Sequence, residues 1–135
     1  MLESKKKQGN ELYQNLGYLF YAVAMADHRV HEKEMEKLNE LVKDHWLEVD
    51  DIEDEFGTDA AFQITTVFDW LVDQGKNGDE IYEDFEEYYL GHKLLFTPSV
   101  KALTMATSRA IAAAFSGNNK AELVLLGRLG LLLNT

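Results

Sequence analysis

The chain has no cysteine. That removes disulfides, thiolate metal sites and thiol redox chemistry, and it fits a reducing compartment. Proline occurs once, at Pro98, so helical patterns run with few built-in breaks. No Asn-Gly or Asp-Gly pair lies between alternating strands; Asn77-Gly78 sits between helical patterns instead. No uninterrupted apolar run approaches the ~18 residues of a membrane span. Lys5, Lys6 and Lys7 are followed by Gln8, Gly9, Asn10 and Glu11, where a secretory leader needs an apolar stretch. Together these absences predict a cytoplasmic chain with no membrane span.

Positive charge is scarce as well. Lys and Arg number 13 against 24 acids, for a net charge of −11 over 135 residues. The imbalance is uneven. Residues 1–91 hold 23 acids and 8 Lys/Arg, a net −15, whereas residues 92–135 hold a single acid, Glu122, and 5 Lys/Arg, a net +4. The acidic part repels nucleic-acid phosphates and anionic lipid. A basic protein, a cation or water suits it better, and the ordinary reading of such charge is a solvated surface. The length is that of one domain, large enough to bury roughly two-thirds of its unfolded surface without staples.

What is abundant is helical periodicity. A first helix is expected from about Asn10 to Ala26, with Leu12, Leu16, Leu19, Phe20 and Val23 inward. A second is expected from about Glu32 to Trp46, carrying Met35, Leu38, Leu41 and Val42. His31 stands at its N-cap position, Glu34 at N3 can reach back to the His31 N–H, and Val30 can staple onto Met35. After an acidic turn, Glu48 to Glu55, a third helix starts near Thr58 and stops at Gly75. A fourth, about Asp79 to Leu90, turns Ile81, Phe85, Tyr88 and Tyr89 inward and five acids outward. Thr97-Pro98 opens a fifth, to about Phe115, in which Ala102, Ala106 and Ala110 recur every fourth residue and read as the close-packing face of a central helix. Asn119 and Glu122 form a cap pair for a sixth, which carries Leu123, Val124, Leu126 and Leu129. Its end, Leu131-Leu132-Leu133, is apolar all round and must enter a groove of its own chain or meet a twin subunit. Residues 1–9 read as a flexible N-terminal segment and residues 10–135 as the domain.

The first and last helix pairs echo one another at an offset of 88: Val23-Ala24-x-Ala26 then Glu34-Met35-x-x-Leu38-x-x-Leu41 matches Ile111-Ala112-x-Ala114 then Glu122-Leu123-x-x-Leu126-x-x-Leu129. The fold expected is therefore all-α: a single bundle of about six helices, with two pseudo-repeated hairpins flanking a middle pair.

The run Ala24-Met25-Ala26-Asp27-His28-Arg29-Val30-His31-Glu32-Lys33-Glu34 resembles the signature of TerB-type, tellurite-resistance-associated helical domains. That signature is an apolar helix ending in Ala-x-Ala-Asp-Gly, then a β-branched residue, then Glu seven residues after the Asp. A second copy would fall at residues 114–122, and the resemblance spans roughly residues 10–133. Here Asp27-His28 stands for the family's Asp-Gly, and Ser116-Gly117 leaves the second copy without its acid. The resemblance implies a stress-response or metalloid-resistance setting and a scaffolding or metal-sensing role without an established enzyme activity.

Asp27, His28, His31 and Glu34 are the most chemical-looking cluster, since carboxylates and imidazoles at a helix junction can hold a divalent cation. The metal candidates are Asp27, His31 and Glu34; local capping accounts for both acids and is the favoured reading. Asp73 to Asp84 imitates an EF-hand loop, but Gly75 stands at a ligand position, so a helix stop and a turn explain it better. No nucleophile elbow, phosphate loop or zincin motif is present, and His45 and His92 are single residues. Three functions follow. The first is a non-enzymatic interaction or scaffold module, modulated by a divalent cation. The second is a metal-dependent enzyme or small-molecule binder with its site at the Asp27–Glu34 junction. The third is an acidic partner or decoy for a basic protein. The partners expected are a protein of basic character and a second copy of the chain through the Leu-rich tail, with no nucleic acid.

Overall fold

The computed structural model describes residues 2–27, 32–46, 60–115 and 120–135. Within them lie six α-helices and no strand: α1 Leu2–Ala24, α2 Glu32–Trp46, α3 Ala60–Gln74, α4 Gly78–Gly91, α5 Pro98–Phe115 and α6 Lys120–Leu133. Two single 3₁₀ turns, Met25–Asp27 and Lys93–Leu95, extend α1 and precede α5. The all-α expectation holds at this level, and α2 runs over its expected span. The caps expected at His31 and Asn119, and the acidic stretch 48–55, lie outside the described residues.

Three expectations fail. The first helix begins at Leu2, eight residues before its expected start near Asn10, so residues 2–9 belong to it. α1, not α5, is the central helix: it packs against α3, α4, α5 and α6, while α2 lies against α3 and α5. Its sequence permits this because buried residues occupy nearly every position from Leu19 to Ala24, so no side of that stretch needs water. The alanine stripe of α5 also faces the wrong way. Ala102 and Ala106 are exposed, and the inward face is Val100, Thr104, Thr107, Ser108, Ile111 and Ala112. The two threonines serve inside the helix because their hydroxyls bond their own backbone: Thr104 donates to the Val100 carbonyl at 2.7 Å, and Thr107 to Leu103 at 2.8 Å. Threonine therefore enters the core with its donor satisfied, while Ala102 and Ala106 are left outside as good helix formers.

Close approach is local. A Cβ on Gly17 would lie 2.9 Å from the Ile64 carbonyl oxygen and 3.0 Å from Val67, so only glycine lets α1 and α3 sit this near. α3 ends in a Schellman turn: Gly75 takes φ +64°, its N–H donates to Val72 at 3.2 Å, and Lys76 N–H reaches Leu71 at 3.5 Å. The Tyr21 hydroxyl of α1 donates to the Lys76 carbonyl and pins that turn to the core. Asn77 then accepts from the N–H groups of Asp79 (2.8 Å) and Glu80 (3.3 Å) and caps α4. The pseudo-calcium loop is thus a helix stop followed by a helix cap. The Thr97 cap forms as expected, accepting from Val100 N–H at 3.3 Å.

Aromatic side chains carry much of the core. Trp46, 2 % exposed, packs on Tyr13 and Phe20 and donates its indole N–H to the Thr107 hydroxyl at 3.0 Å, joining α1, α2 and α5. Phe96, buried, gathers Phe85, Tyr88 and Tyr89 around it at the start of α5.

Candidate functional site

The metal candidates divide as follows. Asp27 ends the 3₁₀ turn after α1 and Glu34 sits on the first turn of α2; their side chains, and His28 and His31 altogether, lie outside what is described. Among the described residues, no three His, Asp or Glu side chains gather as a metal site.

Beside Asp27 opens a cavity of about 510 Å³ between the end of α1, the start of α4 and the first half of α6. Its apolar wall is Ala22, Met25, Ala26, Val124 and Leu125, and its charged rim is Asp79, Lys120 and Arg128. The N-termini of α4 and α6 both open here, and helix N-termini carry partial positive charge. With two cations against one acid on the described rim, this space suits an anion better than a metal ion. Arg128 is already held: its guanidinium lies 4.6 Å over the Tyr82 ring and 3.5 Å from a Glu86 oxygen. Glu122, which the echo aligns with Glu34, is 1 % exposed in the first turn of α6, where the helix N-terminus favours its negative charge.

A second cavity, about 530 Å³, lies between the start of α1 and the α4–α5 connection, lined by Gln8, Glu11, Leu90, His92 and Leu94. His92 is held in place there. It stacks on Tyr88 at 4.2 Å, and its Nδ1–H donates to the Tyr88 carbonyl at 2.9 Å. Burial, and then the nearby Glu11 carboxylate, raise the Tyr88 hydroxyl well above the ordinary phenol range.

The acids of α4 behave as read: Glu80, Glu83, Asp84 and Glu87 are exposed. The features that sequence reasoning missed are apolar. On α3, Phe62 is 61 % exposed and Trp70 51 %. Thr66, Asp69 and Asp73 share their face and are exposed too. On α6, Leu123 and Val124 stand outside with Gly127 and Leu131, the last 74 % exposed. The tail therefore divides. Leu129, Leu132 and Leu133 enter the chain's own core, and Leu131 does not. The signal for the α3 face was present in the spacing Phe62-x₃-Thr66-x₃-Trp70, opposite Ile64, Phe68 and Leu71. It was hidden because α3 is apolar on several sides. No family model, no curated protein and no solved structure matches this chain.

Proposed function

We propose that this chain is a non-enzymatic, TerB-like interaction module that works by presenting helix faces to another protein. The observation that carries the reading is the pair of exposed apolar faces on α3 and α6, on a bundle whose other large apolar side chains mostly close into one core. Contiguous exposed apolar groups rimmed by charge mark interaction surfaces, and Trp is among the residues that dominate binding energy at such surfaces. The resemblance in Ala24 to Glu34 supports the scaffold role and a stress-response setting in the cytoplasm. The echo of the α1–α2 and α5–α6 pairs supports the pseudo-repeat. Asp27, His31 and Glu34 mark where a divalent cation would modulate the module.

The test is a photo-crosslinking residue placed in the living host at position 70, at position 131 and, on the acidic face of α4, at position 83. Protein adducts at 70 or 131 are expected. Adducts confined to 83 would favour the acidic-partner reading, and no adduct at any position would overturn the interaction role.

One observation favours a second reading. The cavity beside Asp27 falls within the size range of small-molecule pockets. Its apolar wall and cationic rim would take a small amphipathic anion.

A further inference from the structure

The two exposed apolar faces differ in charge and in shape, and the differences are complementary. α3 carries two acids, Asp69 and Asp73, and no Lys or Arg. Both acids lie on the exposed face with Phe62 and Trp70. The surroundings take part of the water from the Asp69 carboxyl and raise it above the usual carboxylate range, so a cation brought close would replace lost hydration. α6 is the reverse. Its exposed charges are Lys120 and Arg128, and its one acid, Glu122, is buried.

The shapes match in the same way. Trp70 and Phe62 are large knobs, eight positions apart, or about 12 Å along the helix axis. On α6, Gly127 stands between Leu123 and Leu131 at four-residue spacing, and a Cβ there would meet nothing within 4 Å. Gly75 serves a left-handed turn, and Gly17 and Gly78 serve close approaches within the chain. Gly127, like Gly91 and Gly130, meets nothing among the described residues, yet glycine inside a helix costs ~1 kcal/mol relative to alanine. It leaves a notch floored by backbone and walled by Leu123, Val124 and Leu131.

We infer that the occupant of each face is a second copy of this chain, joined head to tail, with the Phe62–Trp70 face of one copy seated on the Leu123–Leu131 face of the next. Trp70 enters the notch at Gly127, and Asp69 and Asp73 meet Lys120, with Arg128 alongside in its pair with Glu86. A two-fold contact of α3 with α3 would join two acidic faces, and α6 with α6 two basic ones, and neither gains the opposite-charge pairing of an α3–α6 contact. A heterologous contact does not close on two copies. The patches are small beside the ~800 Å² per partner of a stable interface, so the association is weak and builds with concentration. This deepens the interaction reading by naming the partner of its two faces.

The experiment is sedimentation equilibrium of the full chain, up to about 1 mM so that a weak contact is populated. The average mass should climb past twice the 15.4 kDa monomer without a plateau. Trp70→Glu and Leu131→Glu, both at exposed positions and checked for helicity, should each stay monomeric. An equimolar mixture of the two retains one intact α3 face and one intact α6 face, so it should re-associate and stop at a dimer. Gly127→Ala should weaken the wild-type association several-fold while leaving the fold intact. A wild type that stays monomeric, one that stops at a dimer, or variants that still associate alone would overturn the inference. If the chain is monomeric but crosslinks from position 70 or 131 capture a different protein, the head-to-tail contact falls and the interaction role stands.

Discussion

Single residues here are governed by what surrounds their polar atoms. Tyr82 is buried, its hydroxyl has no hydrogen-bond partner among the described residues, and burial, with Glu86 beside it, pushes its pKa up to about 12 although Arg128 pulls the other way. The neutral phenol is thus favoured in the folded chain. The associated stability is intact below the ordinary phenol value of 10.0 and is lost as pH rises toward about 12, because the unfolded chain ionises first. Absorbance titration should show Tyr82 and Tyr88 ionising above the ordinary phenol range. Tyr82→Phe should remove one late step and flatten the alkaline loss of stability. At neutral pH the same change should be within ~1 kcal/mol of neutral, since it removes a buried hydroxyl that lacks a partner.

The junction residues divide on the same principle, cap against ligand. If Asp27 and Glu34 serve only local capping, Glu34→Gln and Asp27→Asn should be nearly harmless, and Mg²⁺, Ca²⁺ or Zn²⁺ should not raise the melting temperature of the wild type. That is the expected outcome, because an amide oxygen still accepts the capping hydrogen bond. A cation held at a hundredfold excess over its dissociation constant would add ~2.7 kcal/mol. A melting temperature raised by an ion, with the rise lost in both variants, would make metal binding the leading function.

At the scale of helices, glycine separates packing from exposure. Gly17→Ala must push α3 away from α1 at a backbone oxygen that cannot swing aside, and should cost about 1–3 kcal/mol by thermal or denaturant unfolding. Gly127→Ala meets open space and should stabilise the isolated chain by roughly 0.5–1 kcal/mol. Equal effects at the two sites would show that the α1–α3 approach is looser than described. The start at Thr97-Pro98 and the stop at Gly75 were legible because they are set by neighbours in sequence, through bonds within a turn; the start of α1 at Leu2 and the Asn77 cap were not read. Helix faces were less legible. Where apolar residues cover more than one side, as on α3 and α6, periodicity does not choose which side meets the bundle. Leu123 and Val124 accordingly lie outside while Leu132 and Leu133 lie inside.

For the whole molecule, the sequence alone determined a great deal. It set the all-helical class, since one proline and helical spacing nearly throughout leave no strand pattern. Among the described residues no helix is long and apolar enough to cross a membrane, as the short apolar runs require. It also set the polarity of charge, acidic through residue 91 and basic beyond it, which places an acidic rim on α3 and a basic one on α6. Only the tertiary structure decided that α1 is the helix around which α3, α4, α5 and α6 pack, that Thr104 and Thr107 rather than Ala102 and Ala106 line the inside of α5, and that Trp46 joins three helices. Those choices depend on contacts between residues far apart in the chain, such as Gly17 with Ile64 and Trp46 with Thr107. Local propensity and period carry no information about which distant backbone will come close. The same reason hid the two exposed faces: an apolar residue declares its preference for burial in the sequence, but which apolar residues are left over is settled only when the core has been filled.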